Sequence, residues 1–381
     1  MLSLIVPVFN EKENISELVN CLTGALAQKD YEIIFMDDST DDTPAVITRL
    51  AESHDRIRLI HRAHKKGLAS AVIEGFKHAQ GDILAVMDGD LQHPPALLAN
   101  MLAEIEQGAD IVVPSRFISG GSDGGLSWFR KLASAAARYA GRILLPSLRR
   151  ISDHTGGMFM FKKEVIKDRR LDPVGWKILM EILVLGNYHV LTEIPYAFEV
   201  RNAGQSKFGF KVQMQYLWHL VRLLKRSRSD RRFYMFCLVG ASGVLIDMLV
   251  FALLNRYFSI LSVNERAVIS SLSAMTSNFM LNSLFTWRDR SPGRFRLGSK
   301  IFLTHLHRFG KYVTVSFSGL LVKSLILFLL YTVLGVDQYL GNFVGIVCAS
   351  FSNYAFSNWL VWGNVHPLPP VIYRRSAGIK L

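Results

Sequence analysis

The sequence predicts an α/β domain on a mixed, mostly parallel sheet, followed by a helical membrane domain. Three observations predict it. Short apolar runs alternate with amphipathic stretches of helical period through the first half, the pattern of strands and covering helices in a wound sheet. Acidic clusters follow three of those runs, and such sheets bind ligands beyond the carboxyl ends of their strands. The second half holds four apolar stretches, each near the roughly 20 residues that a helix needs to cross a bilayer.

Residues 2–8 read as a first buried strand, and Ile15, Leu18, Val19 and Leu22 then repeat at helical spacing. A second strand, 31–36, ends at Asp37-Asp38-Ser39. A helix over 40–53, a strand over 57–61 and a helix over 69–79 follow. Gln80-Gly81-Asp82 marks a turn. The apolar run from Ile83 to Met87 then stops at Asp88-Gly89-Asp90, so two carboxylates leave a strand end. Gly89 between them leaves room for another group to approach the backbone, and Gln92 adds a neutral oxygen two residues on. Mg²⁺ and Mn²⁺ take oxygen ligands and usually sit between one or two carboxylates and a substrate diphosphate. At the neighbouring strand ends, Asp38 and Glu11 can accept hydrogen bonds from a base or ribose. Pro7 and Phe9 offer an apolar wall.

Composition narrows the class. The chain has 381 residues, enough for two or three domains, and 44 basic against 31 acidic residues give a net charge of +13. Half of it is hydrophobic. A chain both basic and apolar fits an anionic membrane surface better than nucleic acid, and no nucleic-acid-binding signature is present. Cys21, Cys237 and Cys348 cannot all pair and lack metal-site spacing, which suits a reducing cytosolic face. Residues 2–8 are too short for a signal peptide and lack a basic leader.

The string Asp88-Gly89-Asp90-Leu91-Gln92-His93-Pro94-Pro95 resembles the family-2 glycosyltransferases of the dolichol-phosphate mannose synthase group, which load a sugar onto a polyprenyl phosphate. The resemblance covers residues 1 to about 225, and Gly89 stands where the family commonly has Ala. It implies a glycosyltransferase-A type fold. It also implies that Pro7, Phe9, Glu11, Asp37, Asp38, Asp88, Gly89 and Asp90 hold the nucleotide sugar, with Asp88, Asp90 and Gln92 on Mg²⁺ or Mn²⁺. Arg62 to Leu68 looks like the family's Arg-x-x-Lys-x-Gly-Leu element, which would put Lys65 near the nucleotide. Arg116, Arg130 and Ser134 match positions that hold the acceptor phosphate, as guanidinium chemistry favours. Gly120, Gly121, Gly124 and Gly125 make the loop between them flexible enough for a lid. Arg201-Asn-Ala-Gly204-Gln-Ser206-Lys207 matches a signature whose cations, Arg201 and Lys207, would meet diphosphate. Asp153 is a candidate for placing a substrate, and Lys177 and Glu181, four apart, suit a helical ion pair.

The reaction so implied is inverting transfer of a hexose, foremost mannose from GDP-mannose, to a membrane polyprenyl or dolichyl phosphate. UDP-glucose or a UDP-N-acetylhexosamine is the alternative donor, and a transporter with a regulatory N-terminal domain is the alternative class. The lipid phosphate is ionised at neutral pH, so positioning and electrostatic stabilisation suffice without a strong base. A glycosidase would need an acid of raised pKa across the bond, and nothing in the sequence marks one.

Residues 127–150 and 208–232 are basic and interleaved with aromatic and aliphatic side chains, as in helices that lie on a membrane surface. Expected spans are 233–255, 265–287, 309–334 and 339–362. The domains are then 1–207 catalytic, 208–232 linking, 233–363 transmembrane and 364–381 a basic tail. Arginines and lysines crowd 288–308 and the tail. The positive-inside rule therefore puts the catalytic domain, middle loop and both termini of a multi-pass protein in the cytoplasm. Ser277-Asn278…Asn282…Trp287 recurs 75 residues on as Ser352-Asn353…Ser357…Trp362, which marks two repeated hairpins. These motifs resemble the small four-helix family of polyprenol-linked sugar transporters. Asp247 and Lys323 hold equivalent places in the two repeats, so they are expected to meet, or to share a polar cavity with Asn278 and Asn353.

Overall fold

The computed structural model describes residues 1–63, 67–122, 124, 128–175, 177–198, 210–291, 300–363 and 371–376. The chain forms two compact units, Met1–Arg228 with Pro369–Leu381, and Ser229–Leu368.

In the first unit the chain runs through β1 (Leu2–Val8), α1 (Lys12–Ala25), β2 (Tyr31–Asp37), α2 (Thr43–Ser53), β3 (Ile57–His61), α3 (Leu68–His78) and β4 (Ile83–Val86). It continues through α4 (Leu97–Glu106), β5 (Ile111–Ser115), α5 (Trp128–Leu144), β6 (Phe159–Lys162), α6 (Ile178–Leu185), β7 (Val190–Pro195) and α7 (Phe210–Arg226), with β8 (Ile372–Arg375) far downstream. The sheet order is β3-β2-β1-β4-β6-β5-β7-β8. Only β6 runs antiparallel to its neighbours, so the sheet is mixed and mostly parallel, as the alternating pattern predicts.

Successive side chains of a strand face opposite sides, and β1 shows both. Leu2, Leu4, Val6 and Val8 pack with Ile15, Leu18 and Leu22 of α1. Ile5 packs on the other side with Val72 and Phe76 of α3. Each fully buried side chain of this size contributes about 1.5–3 kcal/mol, and these two layers fix where the strand ends point.

The reading of 364–381 as a basic tail did not include a strand that the structure forms over Ile372–Arg375. Ile372 N–H donates to the His189 carbonyl at 2.7 Å and Ser376 N–H to the Glu193 carbonyl at 3.0 Å, which adds β8 to the edge of β7. Arg374 and Arg375 hid the β-forming pair Ile372-Tyr373, yet charged side chains are common on edge strands.

Helix α5 leaves Leu132, Tyr139 and Ile143 exposed on one stripe. Helix α7 buries Tyr216, Leu220 and Leu223 and exposes Met214, Leu217, Trp218 and Val221. Each therefore carries an outward apolar face on a basic helix.

The second unit comprises α8 (Arg228–Tyr257), α9 (Val263–Leu281), α10 (Lys300–Leu327) and α11 (Gln338–Phe356). Among the described residues two helices are long and apolar enough to cross a membrane, Arg228–Tyr257 and Phe302–Val333, with mean hydropathies of 2.3 and 2.1. The repeat is visible in the packing. Helices α9 and α11 both pass into a π turn, Asn282–Thr286 and Ser357–Val361. The tryptophans that follow, Trp287 and Trp362, stack with centroids 4.3 Å apart and planes 3° apart. Gly243 lies against the amide of Asn278, and Gly319 against that of Asn353, so closely that a Cβ at either glycine would displace the amide. Asp247 accepts from Ser271 Oγ at 3.2 Å and lines a cavity of about 310 Å³ with Asn278, Tyr312 and Ser316. Lys323 packs instead against Gly345. The cavity around Asp247 and Asn278 is lined by neither Lys323 nor Asn353, so the expected sharing between the two repeats is not seen, and the neutral hydroxyl of Ser271 is the partner of Asp247.

Candidate active site

Strands β2, β1 and β4 are parallel neighbours, so their carboxyl ends lie side by side. The loops after β1 and β2 are laced together. Asn10 N–H donates to Ser39 Oγ at 2.8 Å, Thr40 N–H to Asn10 Oδ1 at 2.9 Å, and Glu11 N–H to Thr43 Oγ1 at 3.1 Å. Phe9 is exposed above this lacing, while Pro7 is buried within β1. The Glu11 carboxylate accepts from Asn14 Nδ2 at 2.6 Å.

Asp37 and Asp38 point inward. Asp37 is fully buried, meets His61 Nδ1 at 2.5 Å and accepts from Ser39 N–H at 3.1 Å. Asp38 receives Arg62 Nε at 2.8 Å and Nη2 at 2.7 Å, and also Gly67 N–H at 2.9 Å. Both carboxylates therefore shape the floor of the crevice. Asp38 ties down both ends of a segment whose middle, including Lys65, lies outside the described residues. Arg62, nearly fully buried, opens the Arg-x-x-Lys-x-Gly-Leu element, but its pairing with Asp38 was not foreseen from the sequence.

At β4, Met87 N–H reaches the Ile5 carbonyl at 3.2 Å and extends the strand pairing to the acidic turn. Asp88 is half-buried, and a Cβ at position 157 would sit 2.2 Å from Asp88 Oδ2, so any side chain there would displace the carboxylate. A Cβ at Gly89 would sit 2.9 Å from Val8 Cγ1. Asp90 is buried and accepts from Gln92 N–H at 3.2 Å. Between them Leu91 holds φ 60, a left-handed conformation rare for leucine and typical of strain kept at functional turns. His93 stacks on Tyr196, with centroids 5.5 Å apart. Burial pulls its pKa down to about 4 against the pull of Asp90, so the ring is neutral at pH 7.

Two carboxylates and an amide are hard oxygen donors that fit Mg²⁺ or Mn²⁺. Among the described residues no group of three or more His, Cys, Asp or Glu gathers to hold a metal ion. Few protein ligands suit these ions, which keep waters and substrate phosphates in their shell.

On the far side of the crevice, Arg116 follows β5 and clasps Asp153 through Nε at 2.7 Å and Nη2 at 3.1 Å. Burial alone would raise the Asp153 carboxyl, but the guanidinium outweighs it and holds the group below the usual range. The backbone around Asp153 is pinned twice. Arg142 Nη2 donates to the carbonyls of Ile151 at 2.8 Å and Ser152 at 3.2 Å. Glu193 Oε1 accepts the amides of Ser152 at 2.8 Å and Asp153 at 3.2 Å. Arg138 lies over the ring of Phe117 at 3.4 Å, and Arg116 meets the same ring at 5.1 Å.

Lys177 caps the start of α6 and donates to the Thr155 carbonyl at 2.8 Å. Burial pulls its pKa down to about 8, Arg116 pushes it further down, and Asp153 and Asp88 pull it back. It does not pair with Glu181. That carboxylate accepts from Asp172 N–H at 2.8 Å and bonds Arg226. The four-residue rule needs both residues within the helix, and Lys177 stands at its cap. Arg130 is the third residue of α5, but its side chain lies outside the described residues, as do Arg201 and Lys207. Ser134 is half-buried one turn later. Arg138, Arg142 and Glu193 were not singled out in the sequence. Their only signal was the basic spacing of α5, with Arg138 and Arg142 four apart.

Residues 3–170 match the family model for glycosyl transferase family 2, and residues 235–362 match that for the GtrA/DPMS transmembrane domain. A dolichol-phosphate mannosyltransferase of Pyrococcus furiosus is 37% identical over 366 residues, 94% of this chain and 99% of that one. Proteins of the same name from Mycosarcoma maydis and Saccharomyces cerevisiae are each 33% identical. They span 66% and 58% of this chain, and 85% and 86% of their own. One relative thus accounts for the acidic strand end, the arginine side and the membrane helices together, and the chain belongs to the dolichol-phosphate mannosyltransferase family, as a membrane-bound family-2 glycosyltransferase.

Proposed function

We propose that the protein transfers mannose from GDP-mannose to the phosphate of a membrane polyprenol, inverting the anomeric carbon to give a β-linked product. The observation that supports this reading is the segment 153–157, where Asp153 accepts from Arg116 Nε at 2.7 Å and Gly157 lies beside the Asp88 carboxylate. The donor carboxylates and the acceptor guanidinium therefore flank one short stretch of backbone.

Phe9 and Glu11 line the mouth of the nucleotide pocket, over the floor built by Asp37 and Asp38, with Lys65 assigned to nucleotide binding from the Arg-x-x-Lys-x-Gly-Leu element. Asp88, Asp90 and Gln92 would hold Mg²⁺ or Mn²⁺, which when bound neutralises charge on the departing diphosphate. Arg201 and Lys207 add cations there. Arg116, Arg130 and Ser134 hold the acceptor phosphate, with Asp153 fixing the plane of the Arg116 guanidinium. A phosphate oxygen then bonds to the anomeric carbon as the bond from that carbon to the diphosphate oxygen breaks. No proton need move. The residues act by placing two anions in line and by compensating their charge.

The exposed apolar stripes of α5 and α7 rest on an anionic bilayer surface. All four helices of the second unit cross the membrane and anchor the enzyme. The catalytic unit, the loop over 288–308 and both termini lie on the cytoplasmic side.

Membranes carrying the protein should be supplied with a defined polyprenyl phosphate and radiolabelled GDP-mannose, UDP-glucose or UDP-N-acetylhexosamines. Label entering lipid from GDP-mannose, with a β-anomeric signal by NMR, is the expected result. Label from a UDP-sugar alone would reassign the donor, and none from any donor would overturn the reading.

A further inference from the structure

We infer that β8 is a positioning element of the active site, in which Arg375 and Glu193 hold the Ser152–Asp153 backbone so that Asp153 sets Arg116. The inference rests on the reading of Arg116 as an acceptor-phosphate residue. Glu193 and Arg375 are cross-strand partners in the β7–β8 register. Glu193 is almost fully buried. One of its oxygens takes the amides of Ser152 and Asp153, and the other faces Arg375 Nε at 4.0 Å. Arg375 Nη2 also reaches Ser152 Oγ at 3.4 Å. The next link is the buried Asp153 carboxylate on Arg116. Two salt bridges and a pair of amide bonds therefore run unbroken from the edge strand to the arginine.

A buried carboxylate without a counter-charge is costly. Among the described residues, Arg375 is the cation within 4.0 Å of Glu193. The two backbone bonds from Ile372 and Ser376 set where that cation sits. A strand that merely covered the β7 edge would need those backbone bonds alone. By chain order β8 follows the π turn at the end of α11, so the membrane half delivers the segment that sets the acceptor arginine.

Full-length protein in membranes separates this from an edge-covering role. Arg375→Ala, Arg375→Lys, Glu193→Gln and Glu193→Gln with Arg375→Ala are assayed beside Arg116→Ala, varying donor and acceptor separately. Arg375 is largely exposed, so its charge is screened. Its loss should raise the KM for polyprenyl phosphate by about fivefold, with donor KM unchanged, and Lys should restore most of the affinity together with any Tm that is lost. In the Glu193→Gln background Arg375→Ala should have no effect, because a neutral amide still accepts the two N–H groups and needs no cation. An unchanged acceptor KM, an equal rise for both substrates, or a fall in Tm that Lys does not repair would each overturn the inference. If Arg116→Ala raises the donor KM instead, the acceptor reading of Arg116 fails. The role of β8 then stands only if Arg375→Ala moves that same parameter.

Discussion

Asp90 ends an apolar strand with its carboxylate buried and one oxygen already holding the Gln92 amide. Asp90→Asn keeps the shape and an acceptor for that amide but removes the charge. Transfer should fall by about 10²–10³-fold, with an unchanged melting temperature. Near-normal turnover of the purified variant in Mg²⁺ or Mn²⁺ would remove Asp90 from the metal site. This residue was legible because its signal is local, with strand, turn and donors lying within one short string. Asp37 and Asp38 were legible as acidic positions only. Their partners, His61 and Arg62, lie 24 residues away, and a side chain's direction cannot be read from its own neighbours in sequence. Lys177 makes the same point. Spacing linked it to Glu181, whereas folding brings it to Thr155, 22 residues before it.

At the scale of elements, β1, β2 and β4 were legible as runs of β-branched and aliphatic residues, since burial on both faces leaves little polar alternation to confuse with a helix. Strand β8 was not, because its two outer residues are arginines. The membrane repeat was legible as an offset, but its packing was not. The offset pairs Trp287 with Trp362, and the fold stacks them face to face, both fully buried. Offset aromatic pairs contribute about 0.5–1.5 kcal/mol beyond their burial. Trp287→Leu, Trp362→Leu and the double variant should therefore show a coupling energy of about that size in an unfolding cycle. Strictly additive losses would mean that the rings share a site without interacting. Trp287 should be the costlier single loss, because its Nε1 also donates to Asn358 Oδ1 at 3.1 Å.

For the whole molecule, buried histidines make the catalytic unit sensitive to acid. Burial pulls His154 and His219 down from 6.5 to about 4. Both are neutral when folded and protonated when unfolded throughout that window, so the unfolded state binds more protons. Their contribution is present above pH 6.5 and is lost as pH falls toward 4, on the order of 3 kcal/mol each. The Tm of the full-length protein should drop between pH 7 and pH 5, and His154→Gln should flatten that drop. An unaltered slope would show that His154 does not titrate on unfolding. The sheet also has a history in time. A ribosome makes β7 before it makes any membrane helix, and β8 only after all of them. During synthesis the edge of β7 stays an open template for wrong strands. The sheet closes only once the last helix of the second unit has been made, so a chain that stops within that unit cannot complete its catalytic sheet.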